Sequence, residues 1–143
     1  MTRLIASLIL VVLVLLSACT NTTNPLPTAV VVGKQVAVDG GTYTDVSVAE
    51  LQTMLANKDF TFVNVHIPFE GDIATTDLSI PYDQIAQNLD KFPDKKAKIV
   101  LYCRSDRMSN IAAETLVGLG YTNVWNLDGG MVDWEQAGLE IKR

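Results

Sequence analysis

KIVLYCRSDRMSNIAAETLVGLG, Lys98–Gly120, sets one cysteine between two different periodicities. Ile99, Val100, Leu101 and Tyr102 form a continuous apolar run of strand formers, which predicts a buried strand over 98–102. Ile111, Ala112, Thr115, Leu116 and Leu119 recur at helical spacing, which predicts an amphipathic helix behind it. Cys103 therefore stands at the C-terminal end of a strand, and in open α/β sheets that is the end at which ligands bind. The run Arg104, Ser105, Asp106, Arg107, Met108 and Ser109 feeds the helix N-terminus, whose unpaired amides and positive dipole end attract anions. A cysteine kept only as a small core hydrophobe would not usually be followed by so polar a run. The thiolate is the nucleophilic form, so the pattern describes a reactive thiol facing backbone donors suited to a small anion.

Outward from this stretch the chain alternates strands and helices. Ser47, Val48, Ala49 and Glu50 spell a capping box, and Leu51, Met54 and Leu55 on one face predict a helix running to about Ala56. Phe60–Val65 is the next strand. Pro81 starts a segment in which Ile85, Leu89 and Phe92 face the core at helical spacing, closed by Pro93 and Asp94. Downstream, Val124, Trp125 and Leu127 make a last strand, Asp128, Gly129 and Gly130 a turn, and Met131–Ala137 a short helix stopped by Gly138. Trp134 is expected in the core. Strands separated by helices in a short chain imply an α/β fold, a mostly parallel sheet with helices on both faces.

Cys103–Ser109 resembles the active-site loop of the rhodanese (sulfurtransferase) family, seven residues long and opened by the catalytic cysteine. Gly118–Ile141 looks like the family's closing pattern, carried by Gly120, Tyr121, Val124, Leu127, Gly129, Gly130, Trp134 and Gly138. Upstream, FVNVHIPFEG (Phe62–Gly71) is similar to its early strand. The resemblance implies a single rhodanese-like domain over 42–143. It implies Cys103 as nucleophile, with Arg104, Ser105, Asp106, Arg107, Met108 and Ser109 as the substrate-binding loop. A sulfane sulfur from thiosulfate or polysulfide would be held on Cys103 as a persulfide and passed to a thiol or to cyanide, with no cofactor. Arg104 and Arg107 would steer the anion or be merely solvated; Ser105 and Ser109 would donate to the sulfur, unless Ser109 only caps the helix. Asp106 stands where the family's loop often has Gly, and Met108 where it often has Arg. Asp106 tolerates unusual backbone angles and is a candidate cap for the helix, while its charge should oppose thiosulfate. Asn64 and His66 replace the usual Asp and Arg, and GDIATTDLSIPYD replaces the usual Gly-His-Ile-Pro-Gly-Ala pattern. His66 is expected to be a hydrogen-bonded structural histidine, with an auxiliary role as proton donor as the other reading.

The N-terminus carries a different message. Arg3, an apolar run from Leu4 to Leu16 and then small residues before Cys19 have the layout of a signal peptide over 1–18. The run is too short for a comfortable span of roughly 20 residues. Leu16, Ser17, Ala18 and Cys19 match the bacterial lipobox, which implies lipid on Cys19, anchorage to a membrane and an extracytoplasmic place in the cell envelope. Residues 19–41 begin with Asn, Thr and Pro and are expected to form a lipidated tether. Within them Val30–Val38 is apolar enough for a strand or a docking segment.

Removing residues 1–18 takes away Arg3 and no acid, so ten basic and sixteen acidic residues remain, a balance of −6. Nucleic acid is not expected as a partner. The remaining 125 residues suffice for one core, and a monomer is expected. With Cys19 lipidated, Cys103 is the only thiol, so no intramolecular disulfide can protect or resolve it. One Cys and one His do not make a structural metal site. A cysteine phosphatase or arsenate reductase is disfavoured, because such sites need Arg six residues after the cysteine, where this chain has Ser109. The alternative that stays open is a non-catalytic binding, sulfur-carrier or redox-sensing module.

Overall fold

The computed structural model describes residues 32–143; the signal-peptide, lipidation and early tether assignments fall outside them. Eight strands and three α-helices follow in order: β1 (Lys34–Val38), β2 (Gly41–Val46), α1 (Val48–Ala56), β3 (Thr61–Asn64), β4 (Asp72–Ile73), β5 (Leu78–Ser79), β6 (Ile99–Tyr102), α2 (Arg107–Gly118), β7 (Val124–Leu127), α3 (Gly130–Gln136) and β8 (Ile141–Lys142). Six strands form one sheet in the order β1-β2-β7-β6-β3-β5, parallel throughout except for β1, and β4 pairs with β8 in a separate antiparallel ribbon. This is the mostly parallel α/β arrangement expected from the alternation of periodicities.

β6 lies in the middle of that sheet and is buried along its whole length. Ile99 and Leu101 join Ala112 and Leu116 of α2 on one face, whereas Val100 and Tyr102 join Leu51 of α1 and Met131 and Trp134 of α3 on the other. The uninterrupted apolar run follows directly, since a strand covered on both faces has no polar side to alternate with. Trp134 is core, as expected, with its indole N–H donating to Glu140 O at 3.2 Å.

Two segments differ from the expectations. Residues 82–91 form two short 3-10 helices, Tyr82–Gln87 and Leu89–Lys91, instead of one α-helix. Asn88 leaves helical geometry between them at φ −121°, and the prolines at 81 and 93 leave little length in which an α-helix could pay its nucleation cost. Ile85 and Phe92 are nevertheless buried, so the apolar spacing reported burial correctly. The ordered fold also begins before Thr42: Lys34–Val38 pairs antiparallel with Gly41–Val46, and Gly33 N donates to Glu50 Oε1 at 3.1 Å. The boundary expected at 41 therefore falls inside a hairpin, whose turn is Asp39 and Gly40, the glycine at φ +91°.

Candidate active site

Cys103 follows the last residue of β6, only 2 % exposed, and α2 begins four residues later at Arg107. The start of α3 pins the loop from behind. Met131 N donates to Cys103 O at 2.9 Å and Val132 N to Arg104 O at 3.0 Å. Gly130, at φ +57°, has to be glycine for this, because a Cβ there would run into the Cys103 carbonyl. The Asp-Gly-Gly turn is thus the buttress of the cysteine loop, a role that sequence reading assigned only to chain reversal. Among the described residues, the amides of Arg104, Ser105 and Asp106 donate to no backbone carbonyl, so they remain available as donors.

The thiol lies in a cleft of about 150 Å³ lined by His66, Cys103, Arg104, Ser105, Arg107 and Met108. Ser109, completely buried, places Oγ 3.4 Å from Cys103 Sγ and 3.1 Å from Asp106 O. A hydroxyl has one proton, so Ser109 donates to one or the other at a time. Ser109 is the third residue of α2 and not its cap. Met108 packs against the core beneath the helix and forms the apolar side of the cleft. Ser105 and Arg107 are exposed at its rim.

Asp106 is a correction to the expected capping role. It occupies the N-cap position at φ +72° but its side chain bonds no α2 amide. Its Oδ1 instead accepts from Gly129 N at 2.7 Å, so the carboxylate is turned behind the loop, away from the cleft lining. Burial pushes its carboxyl above the usual range, with Asp128 and Asp45 adding to the effect and the Gly129 amide opposing it.

Arg104 is not merely solvated: its guanidinium meets Glu70 Oε2 at 2.6 Å. His66 is also different from expectation. Its side chain is 7 % exposed, neither ring nitrogen makes a well-formed hydrogen bond, and Nε2 lies 3.4 Å from Glu70 Oε1. Contact with His66 and the guanidinium of Arg104 hold the Glu70 carboxyl below the usual carboxylate range. Glu70 escaped the sequence reading, although its spacing four residues after His66 was a visible signal. The position of His66 itself is set by Asn64, whose Oδ1 accepts from the His66 amide while its Nδ2 donates to Gly71 O, each at 2.9 Å. Among the described residues no group of three or more His, Cys, Asp or Glu side chains converges as a metal site, and no helix is long and apolar enough to cross a membrane.

A family model for the rhodanese-like domain matches residues 47–137. A sulfurtransferase of Allochromatium vinosum is 33 % identical over 93 residues, which cover 63 % of this chain and 85 % of that protein. An uncharacterized protein of Synechocystis is 33 % identical over 103 residues, 68 % of this chain; these span only 56 % of the relative's own length. Among solved structures, a rhodanese-like domain protein of Staphylococcus aureus superposes with a TM-score of 0.58 at 32 % identity, covering 69 % of this chain and 98 % of that one.

Proposed function

The chain belongs to the rhodanese-like domain family, and from that premise we propose that it is a sulfurtransferase carrying sulfane sulfur on Cys103. The observation that carries this reading is a buried thiol in a small cleft that Arg104 and Arg107 also line, with the Ser109 hydroxyl 3.4 Å from its sulfur. In the first half-reaction the Cys103 thiolate attacks the outer sulfur of thiosulfate. A Cys–S–S⁻ bond forms, the S–S bond of thiosulfate breaks, and sulfite leaves with the electron pair. In the second, cyanide or an acceptor thiolate takes the outer sulfur and Cys103 leaves as thiolate. Charge and atoms balance in both without an added redox partner. The amides and Ser109 support the terminal sulfur anion of the persulfide. Arg104 and Arg107 favour an anionic donor, Arg104 being already paired with Glu70.

We further propose that the protein works as a monomer, extracytoplasmic and tethered by lipid on Cys19, a placement supported by the lipobox and by the apolar run before it. Intact-mass spectrometry of the purified protein before and after thiosulfate or polysulfide tests the chemistry, with cyanide-dependent thiocyanate release measured on the same samples. One added sulfur on Cys103 with turnover is expected, and Cys103→Ser should lose both. Sulfur gain without turnover would indicate a carrier or sensor. No gain with any donor would leave the fold as a binding module.

A further inference from the structure

His66 is the only histidine of the chain, and its placement is not that of a ring held for its hydrogen bonds. Its imidazole is buried in the wall of the Cys103 cleft, and Nδ1 has no partner among the described residues. A buried polar atom left unpaired costs stability and calls for an explanation beyond packing. The charges around it supply one. Glu70, on the same segment, faces Nε2 through Oε1 and the Arg104 guanidinium through Oε2; Cys103 of the loop and Arg107 of α2 line the same cleft. Asp72, the next carboxylate along the chain, is turned away onto Tyr102 Oη and Asn64.

With His66 neutral, two arginines and one carboxylate leave the cleft one positive charge, which the thiolate cancels. With His66 protonated, one positive charge remains for an arriving anion. We propose that His66 is the pH-responsive cation of the Cys103 cleft and that Glu70 is the positioning residue holding His66 and Arg104 in its wall, so that anionic electrophiles are admitted preferentially when the imidazole is protonated. His66 acts by its charge and transfers no proton, which is consistent with transfer steps that balance without one. This rests on the persulfide reading of the same cleft and adds the dependence of anion entry on His66. It is testable without sulfur transfer, so the two stand or fall separately.

The test compares alkylation of Cys103 by iodoacetate and by the neutral iodoacetamide. Thiolate formation affects both alike, so the ratio of rates isolates the field of the cleft. In the wild-type protein the ratio should be roughly three- to tenfold higher in acid than in alkali. His66→Arg should hold the ratio high and flat, and His66→Gln low and flat. Glu70→Gln should weaken the pH dependence, because the carboxylate that positions the ring in the cleft wall is gone. A His66→Gln ratio that tracks the wild type at every pH overturns the proposal. A second measurement covers slow labelling: in Cys103→Ser, where no transfer occurs, added thiosulfate should raise the midpoint of the single imidazole's proton NMR titration. An unchanged midpoint in saturating thiosulfate overturns it as well.

Discussion

Asp106 sits on the cysteine loop with φ +72° and its carboxylate on the Gly129 amide. Its charge suggests repulsion of thiosulfate, yet its direction makes it a strut between the loop and the β7–α3 turn. Two substitutions separate these effects. Asp106→Gly would relieve the positive φ, worth about 1 kcal/mol, and lose a charge-assisted hydrogen bond worth roughly 1.5–3 kcal/mol. Net destabilisation by about 1 kcal/mol in urea unfolding is expected, with thiosulfate turnover unchanged or lower. A higher rate in Asp106→Gly would show that the acid suppresses the reaction after all. Asp106→Asn keeps an acceptor for Gly129 N and removes the charge. The sign of its pH effect follows from the raised carboxyl. The native state binds the proton more tightly than the unfolded chain, so the buried group's contribution is favourable in acid and is lost as pH rises through the window above the unfolded carboxylate value. Asp106→Asn should therefore gain stability over the wild type across that window, and a constant difference at all pH values would contradict the assignment.

At the scale of elements, α1 shows what local chemistry specifies and what it does not. The capping box is realised: Glu50 N donates to Ser47 Oγ at 3.4 Å and Ser47 N to Glu50 Oε2 at 2.9 Å. Its second use, taking the Gly33 amide on the other oxygen, joins residues seventeen apart and has no local signature. Ser47→Ala should cost about 1 kcal/mol at neutral pH. The bonds from Ser47 and Gly33 hold the Glu50 carboxyl below its usual range, so its contribution is present above the unfolded carboxylate value and fades as pH falls through the folded one. The Ser47→Ala deficit in the urea midpoint should shrink in that acid range, and a pH-independent deficit would mean that Glu50 is not part of it. The same division runs through the site. Strand, cysteine, loop and helix are contiguous, so β6, Cys103 and α2 were legible from periodicity, and the seven-residue loop from its resemblance. Glu70 on Arg104, Gly129 on Asp106 and the α3 amides on the loop carbonyls join segments 23 to 34 residues apart, and only chain closure creates them. The 3-10 segments were misread because apolar spacing reports a buried face without telling a 3-10 turn from an α-turn when the run is short.

For the molecule as a whole, the direction of β1 has the largest consequence. β2 runs parallel with β7, and β7 with β6, so the C-terminal ends of all three lie at the end of the sheet that carries Cys103. β1 runs the other way and pairs Lys34 with Asp45, which brings the start of the described chain back to that same end. The bond from Gly33 to Glu50 at the start of α1 fixes it there. If Cys19 carries lipid, the thirteen residues from Thr20 to Val32 separate it from this corner of the fold. Fully extended they reach no more than roughly 45 Å. The tether would then keep the Cys103 end of the fold within that distance of the bilayer surface, whichever way the domain turns. The anchor itself is the first thing to test. Cells grown with an alkyne-tagged palmitate should label the wild-type protein and Cys103→Ser equally, and leave Cys19→Ser unlabelled. Purified Cys19→Ser should still take sulfur onto Cys103, because the cleft is built entirely from residues beyond 60. Label retained in Cys19→Ser, or absent from the wild type, would remove the lipid and with it the leash to the bilayer, while leaving the chemistry of the Cys103 cleft intact.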